Sequence, residues 1–449
     1  MGGEVGPKLA SVDGRPVTAV EPVGSLTLQR ALAQALTGSP ELAQFSYDVR
    51  SAEARTLQAG YRPNPEISTQ VEDFGGSRDH AAFRTYQGTI TLSQVIELGG
   101  KRARRLQLSR LDASLAAWDY ETRRLDVFVG TARAYVDVLA AQRRLALAED
   151  TLRLERQFYG AVSERARVGD VSSLEERRAQ VTLSNAQIAL EQARREVEAT
   201  RVRLAASWGS REPRFERAEG DLGGGIVRPP PLPALLALSA QNPDVARWDT
   251  EVAQREARLA VERSRNVPDI TVNAGVRNYG PGRGIDATAL NGSGAPSSVG
   301  SSGGGIAFVG GVGVQLPVFG LNQGNVLDAQ AQLSKSQFQR QVAEVRVTSS
   351  IRQSFERLSA AYEAVVALQR NVLPAAQAAY DGITTGYRQG KFSLLEVLDA
   401  QRALFDARNR LVDAQAAYQT AFAEAERLTG QPLRDVPPST AGTRPGGRP

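Results

Sequence analysis

The sequence predicts an internally duplicated α+β membrane protein in which long coiled-coil helices alternate with short amphipathic strands. Three observations predict it. One plan occurs twice in the same order, apolar seams repeat in steps of three and four, and four segments of about ten residues alternate apolar with polar side chains.

The duplication rests on ordered anchors. Ser39-Pro40-Glu41-Leu42 opens a helical stretch in the first half, and Asn242-Pro243-Asp244-Val245 opens its counterpart. Asn64-Pro65-Glu66-Ile67 matches Val267-Pro268-Asp269-Ile270, and both proline pairs lie 203 positions apart (Pro40 to Pro243, Pro65 to Pro268). Further on, the segment from Arg167 to Glu175 matches the segment from Arg388 to Glu396. That offset is 221 (Gly169 to Gly390), and the Gly/Ser-rich run from Gly280 to Gly305 accounts for the added residues. The expected organisation is an extended N-terminal segment over 1–24, a first repeat over 25–219, a linker over 220–233, a second repeat over 234–434 and a disordered tail over 435–449.

Each copy reads as helix, two strands, very long helix, turn, helix. The long helix of the first copy is expected from about Gly100 to Val168. Its seam is Leu108, Leu111, Leu115, Trp118, Leu125, Val129, Ala132, Val136 and Leu139, with Thr122 as the polar intruder. At 1.5 Å per residue it would span roughly 100 Å. The second copy carries Ile351, Phe355, Leu358, Tyr362, Val365 and Val372, then Pro374, which predicts a local kink. The returning helix bears two columns, Val181, Ile188, Val202 and Leu183, Leu190, Val197, Leu204. Two columns on one helix imply more than one neighbour.

The strand segments are Glu66 to Glu72, Thr85 to Ser93, Ile270 to Arg277 and Ile306 to Leu316. About ten residues is also the length of a tilted strand that crosses an outer membrane. The same alternation would suit an antiparallel sheet packed on helices. Four strands cannot close a spanning barrel, and open edges are forbidden in lipid by their unsatisfied backbone groups. Pooling strands from three chains supplies twelve, an even number in the permitted range.

Composition excludes most alternatives. The chain has 54 Lys+Arg against 49 Asp+Glu, no cysteine and one histidine, His80. Disulfides, thiolate metal sites and multi-histidine metal sites are therefore impossible within one chain. No cofactor constellation, metal site or nucleophile is legible, and an enzyme is not expected. The basic cluster Lys101, Arg102, Arg104 and Arg105 reads as a solvated helix start or as contact with lipid headgroups. Nucleic acid is not expected, because the charge is nearly balanced and no recognition module is present. No apolar run is long enough for a transmembrane helix. Met1-Gly2-Gly3-Glu4 lacks the order of a secretory signal, so the chain is expected either to stay in the cytoplasm or to be a mature form.

With these residues in view, the stretch from about Leu26 to Gly430 resembles the TolC-type outer-membrane efflux proteins. The segment Tyr387-Arg388-Gln389-Gly390 followed by Leu394-Leu395-Glu396-Val397-Leu398-Asp399-Ala400-Gln401 carries the resemblance most distinctively. Glu97-Leu98-Gly99-Gly100-Lys101-Arg102 and Leu316-Pro317-Val318-Phe319 followed by Asn322-Gln323-Gly324-Asn325 resemble the heavy-metal, CzcC-like branch.

The resemblance implies a homotrimer in the bacterial outer membrane, with a 12-stranded barrel continuous with a 12-helix periplasmic tunnel. It would meet a periplasmic adaptor and an inner-membrane pump of RND type, and export divalent metal cations passively. By the same resemblance, Arg167, Val168, Gly169, Asp170 and Val171, with Arg388, Gln389, Gly390, Lys391 and Phe392, form the adaptor-contacting tips. Glu396 and Asp399 would ring the tunnel constriction, and Tyr387 with Glu175 would form a gate latch. Phe392 occupies the position of the family's basic latch partner. A drug or organic-compound exporter and a soluble coiled-coil scaffold are the competing readings.

Overall fold

The computed structural model describes residues 21–77, 85–239, 242–280, 287–290, 296–299, 304–430 and 433. His80, most of the N-terminal segment, the tail and parts of the Gly280–Gly305 run lie outside the described residues. In chain order the elements are β1 (Gly24–Thr27), α1 (Leu28–Gly38), α2 (Pro40–Ala59), β2 (Glu66–Glu72), β3 (Gln87–Ile96), α3 (Lys101–Arg167) and α4 (Ser173–Ala206). They continue with β4 (Phe215–Glu219), α5 (Leu232–Ala237), α6 (Pro243–Ser264), β5 (Ile270–Tyr279), β6 (Ala287–Leu290), β7 (Pro296–Val299) and β8 (Ile306–Val314). Finally come α7 (Gln323–Ala367), a π-helical turn (Leu368–Val372), α8 (Leu373–Arg388) and α9 (Leu394–Thr429). Two compact units result, one from residues 1–50, 115–249 and 338–449, the other from 51–114 and 250–337. Each unit draws residues from both halves of the duplicated plan.

The smaller unit holds a four-stranded antiparallel sheet in the order β2-β3-β5-β8. Residues opposite one another in a ladder share a face. Register therefore places Ile67, Val71, Ile90, Leu92, Val272, Val276, Phe308 and Val312 on one face and Ser68, Gln70, Thr89, Thr91, Asn273 and Arg277 on the other. The apolar face is open, with Ile67 72%, Phe308 89% and Val312 69% exposed. On the polar face Arg277 donates from Nε to Thr89 Oγ1 at 3.0 Å. Sequence alternation alone located all four strands to within a few residues. It did not find β6 and β7, which pair antiparallel inside the glycine-rich run.

The larger unit is mainly helical. The far part of α3 buries not only the expected Ala132 but also Val127, Tyr135 and Val138. These residues fall outside the three-four seam: Tyr135 and Val138 pack with Leu26, Leu204, Trp208 and Phe215 around a small parallel sheet, β1 with β4, and Val127 packs with Ala35 and Leu42. The Tyr135 hydroxyl sits between the carbonyls of Leu26, at 2.8 Å, and Glu219. Burial pushes its pKa up to about 12. A second cluster gathers Ile351, Leu358 and Val365 of α7 with Tyr418 of α9. That seam stops at the π-helical turn, where Val372 is 42% exposed. Pro374 lacks an N–H and crowds the preceding turn, and the widened π-turn before it accommodates that defect.

The segment between β4 and α5 is held by side chains. Tyr418 Oη accepts from Val227 N at 3.0 Å and donates to Val227 O at 2.7 Å, and Gln419 Nε2 donates to Gly224 O at 3.0 Å. On α4, Leu190, Val197 and Leu204 are buried, whereas Val181, Ile188 and Val202 are 60%, 57% and 48% exposed. One of the two predicted columns has its neighbour within the chain; the other is uncovered.

Candidate functional site

Two helix–helix turns close one end of the larger unit, from Arg167 to Ser172 and from Gln389 to Ser393. They are built alike because the sequence repeats the same turn chemistry. Gly169 and Gly390 adopt φ of 77° and 76°, a left-handed conformation that glycine enters without a Cβ clash. In each turn the glycine N–H bonds three residues back and the next N–H five residues back. The pairs are Gly169 to Ala166 and Asp170 to Arg165, then Gly390 to Tyr387 and Lys391 to Gly386. Each turn ends in a serine N-cap, Ser172 accepting from Glu175 N at 3.3 Å and Ser393 from Glu396 N at 3.4 Å.

The second cap is the more complete. Glu396 Oε2 accepts from Ser393 N at 2.7 Å and from Ser393 Oγ at 2.8 Å, closing a capping box. Those hydrogen bonds hold the Glu396 carboxyl below its ordinary pKa. Glu396 and Asp399 are both exposed on α9, while Leu394, Val397 and Ala400 between and beside them are buried. The two acids thus share one open face.

The turns meet through an apolar cluster of Val162, Ala179 and Leu394, with Phe158, Val171, Tyr387 and Leu398 packed on it. Arg165, which sequence reasoning did not single out, reaches across. Its Nε lies 2.7 Å from Asp170 Oδ2 and its guanidinium 5.4 Å from the centroid of the Tyr387 ring. The Tyr387 hydroxyl is buried without a hydrogen-bond partner. Burial pushes Tyr387 above its ordinary pKa; Arg165 opposes this and the Glu175 charge adds to it. Glu175 therefore stands within electrostatic reach of Tyr387 without hydrogen-bonding to its hydroxyl.

Phe392 is not an empty replacement for a basic side chain. Its ring edge lies against Gly386, where an added Cβ would be 2.3 Å from Cδ2. The remaining turn residues point outward: Arg167 is 75% exposed and paired with Glu164 at 2.6 Å, and Val168 is 69% exposed. Arg388, Gln389 and Lys391 are exposed as well. The signal that could have revealed Arg165 is its spacing, five residues before Asp170 in a turn whose backbone bonds the same two residues.

Comparison with known proteins shows which family this arrangement belongs to. The family profile described as "Outer membrane efflux protein" matches residues 31–210 and 235–431. The cobalt-zinc-cadmium resistance protein CzcC of Cupriavidus metallidurans is 32% identical over 417 residues, which is 93% of each chain. The cation efflux system protein CusC of Escherichia coli is 24% identical and covers 86% of this chain and 82% of its own length. Among solved structures, CusC superposes with a TM-score of 0.74 at 20% identity over 90% of this chain and 92% of its own. The Vibrio cholerae outer membrane protein VceC superposes at 0.70 and 16% identity, over 90% and 96%. The chain is a member of the outer membrane efflux protein family and a component of the bacterial outer membrane.

Proposed function

We propose that three copies of this chain close a twelve-stranded barrel continuous with a twelve-helix periplasmic tunnel. The assembly is a passive outlet for divalent heavy-metal cations, delivered by an RND-type inner-membrane pump through a periplasmic adaptor. The observation that carries the reading is the β2-β3-β5-β8 sheet, which has an exposed apolar face, a polar face and, among the described residues, two unpaired edges, β2 and β8. Such edges are tolerated in lipid only when another chain pairs them. The uncovered α4 column of Val181, Ile188 and Val202 gives the helices a matching need for a neighbour.

Metal as cargo is supported by the likeness to metal-resistance proteins over most of the chain. With no cysteine and one histidine, the wall supplies few soft or borderline ligands, so selectivity rests with the pump and adaptor. Within this reading Glu396 and Asp399 form a ring of six acids across three chains, a cation-favouring constriction. The Gly169 and Gly390 turns dock the adaptor, and Tyr387 with Glu175 belongs to the gate.

The test is growth of a deletion strain on zinc, cobalt, cadmium, copper and a panel of organic toxins. Sensitivity confined to metals and restored by this chain is the expected result. Sensitivity only to organics would keep the channel and discard the metal cargo. A detergent-free monomer would remove the barrel.

A further inference from the structure

In the smaller unit, the strand-proximal ends of α6 and α7 enclose a cleft of about 450 Å³, lined by Arg255, Arg258, Glu262, Arg265 and Asp328 among others. Glu262 is buried, at 3% exposure. Its two carboxylate oxygens are shared between Arg258 Nε at 3.3 Å and Arg265 NH1 at 2.8 Å. Both arginines remain about half exposed, at 53% and 54%, so one carboxylate neutralises only one of two cations that keep further N–H donors open. Arg255 is already satisfied by Glu251 at 2.7 Å. On the opposite wall Asp328 is exposed, and among the described residues no ion pair to it is found. The cleft therefore carries one surplus positive charge and one surplus negative charge.

An apolar segment adjoins it. The outward apolar column of β8, Ile306, Phe308, Val312 and Val314, continues beyond the last ladder pair into Leu316 and Val318. Leu316, Val318 and Phe319 are 65%, 78% and 104% exposed. This loop ends at Asn322, whose Nδ2 donates to Glu262 O at 2.9 Å and Oε2 at 3.1 Å. Asn322 adopts a φ of 54°, so the chain turns directly from the apolar loop into the charged cleft.

We propose that this cleft binds the headgroup of a phospholipid carrying both a phosphate and a primary ammonium, that is, phosphatidylethanolamine of the inner leaflet. Arg258 and Arg265 hold the phosphate, since guanidinium forks match its oxygens. Asp328 accepts from the ammonium, and Leu316, Val318 and Phe319 lie against the acyl chains. The proposal rests on the strands crossing the membrane, because that places the cleft at headgroup depth. It fixes where the channel sits along the membrane normal.

The experiment is native mass spectrometry of delipidated, detergent-solubilised full-length protein, titrated with phosphatidylethanolamine, phosphatidylcholine or phosphatidylglycerol of the same chains, and separately with phosphoethanolamine. Phosphatidylethanolamine is expected to bind roughly tenfold better than either other lipid, the difference of one charge-assisted contact. Asp328→Asn should abolish its preference over phosphatidylcholine, and Arg258→Gln with Arg265→Gln should weaken all three lipids. Phe319→Ser, at a fully exposed position, should weaken lipid retention without disturbing the fold. Equal binding of the three lipids, or indifference to Asp328→Asn, would overturn the headgroup assignment. Phosphoethanolamine binding as tightly as the lipid would overturn the acyl contact. Either failure in a protein that still forms a membrane-inserted trimer strikes this site alone; loss of the trimer in the unaltered protein strikes the barrel.

Discussion

The guanidinium of Arg165 lies 5.4 Å from the centroid of the Tyr387 ring while its Nε is 2.7 Å from Asp170. One side chain at the end of α3 thus ties the first tip turn to the last turn of α8. The cation comes from the first half of the chain and the ring from the second. A cation over an aromatic face at a partly exposed site contributes about 0.5–1 kcal/mol, and a screened surface ion pair about 0.2–1 kcal/mol.

Arg165→Gln is therefore expected to raise the open fraction of the channel about fivefold, the equivalent of roughly 1 kcal/mol. Single-channel recording in planar bilayers measures it. An unchanged open fraction would show that Arg165 does not hold the tip.

Gly386→Ala should be more disruptive than its size suggests, because the new methyl would meet the Phe392 ring at 2.3 Å. Overpacking of this kind costs about 1–3 kcal/mol. Adding Phe392→Ala should recover most of the lost thermal stability. A double variant no more stable than Gly386→Ala would place the strain elsewhere.

Glu155 is buried in the helical unit, 2.8 Å from Gln401 Nε2 through one oxygen and without a partner on the other. Burial pushes its carboxyl above the ordinary value of 4.5, against the pull of Thr182 and Gln401. The folded state then binds the proton more tightly than the unfolded state. Its contribution is full below the ordinary carboxylate pKa and is lost as pH rises through the raised one. Glu155→Gln should thus stabilise the protein near pH 7.5 by about 1–3 kcal/mol and have little effect near pH 4.5. Parallel melting curves for the two proteins across that range would count against it.

Replacing Glu396 and Asp399 by Ala is expected to lower cation over anion preference severalfold, as judged from reversal potentials in a salt gradient. Because Glu396 also completes the cap on Ser393, Glu396→Gln with Asp399→Asn is the gentler control. Selectivity untouched in both variants would take these acids out of the constriction.

Ile188→Asp places a charge in the uncovered α4 column, where Ile188 is 57% exposed in the single chain. The trimer should dissociate while the helical content of the chain stays intact, as followed by light scattering and circular dichroism. A stable trimer would mean that another surface joins the chains.

The sequence by itself determined the periodic features. Alternation located β2, β3, β5 and β8, three-four spacing located α3 between Lys101 and Arg167, and repeated glycine-serine patterns located the two helix–helix turns at Gly169 and Gly390. These follow from local rules: a strand repeats every two residues, a helix every 3.6, and a left-handed turn wants glycine. Tertiary structure decided what no period encodes. It buried Tyr135 and Val138 beside the β1–β4 pair, a ladder between two short strands so distant in sequence that no local period marks it. It brought Arg165 onto Tyr387 and set Phe392 against Gly386, contacts made across turns by side chains whose spacing carries no repeat. It also left Val181, Ile188 and Val202 uncovered while burying the equally apolar Leu190, Val197 and Leu204 on the same helix. Hydrophobicity marks a residue for burial; which surface buries it is settled only when the neighbouring elements arrive.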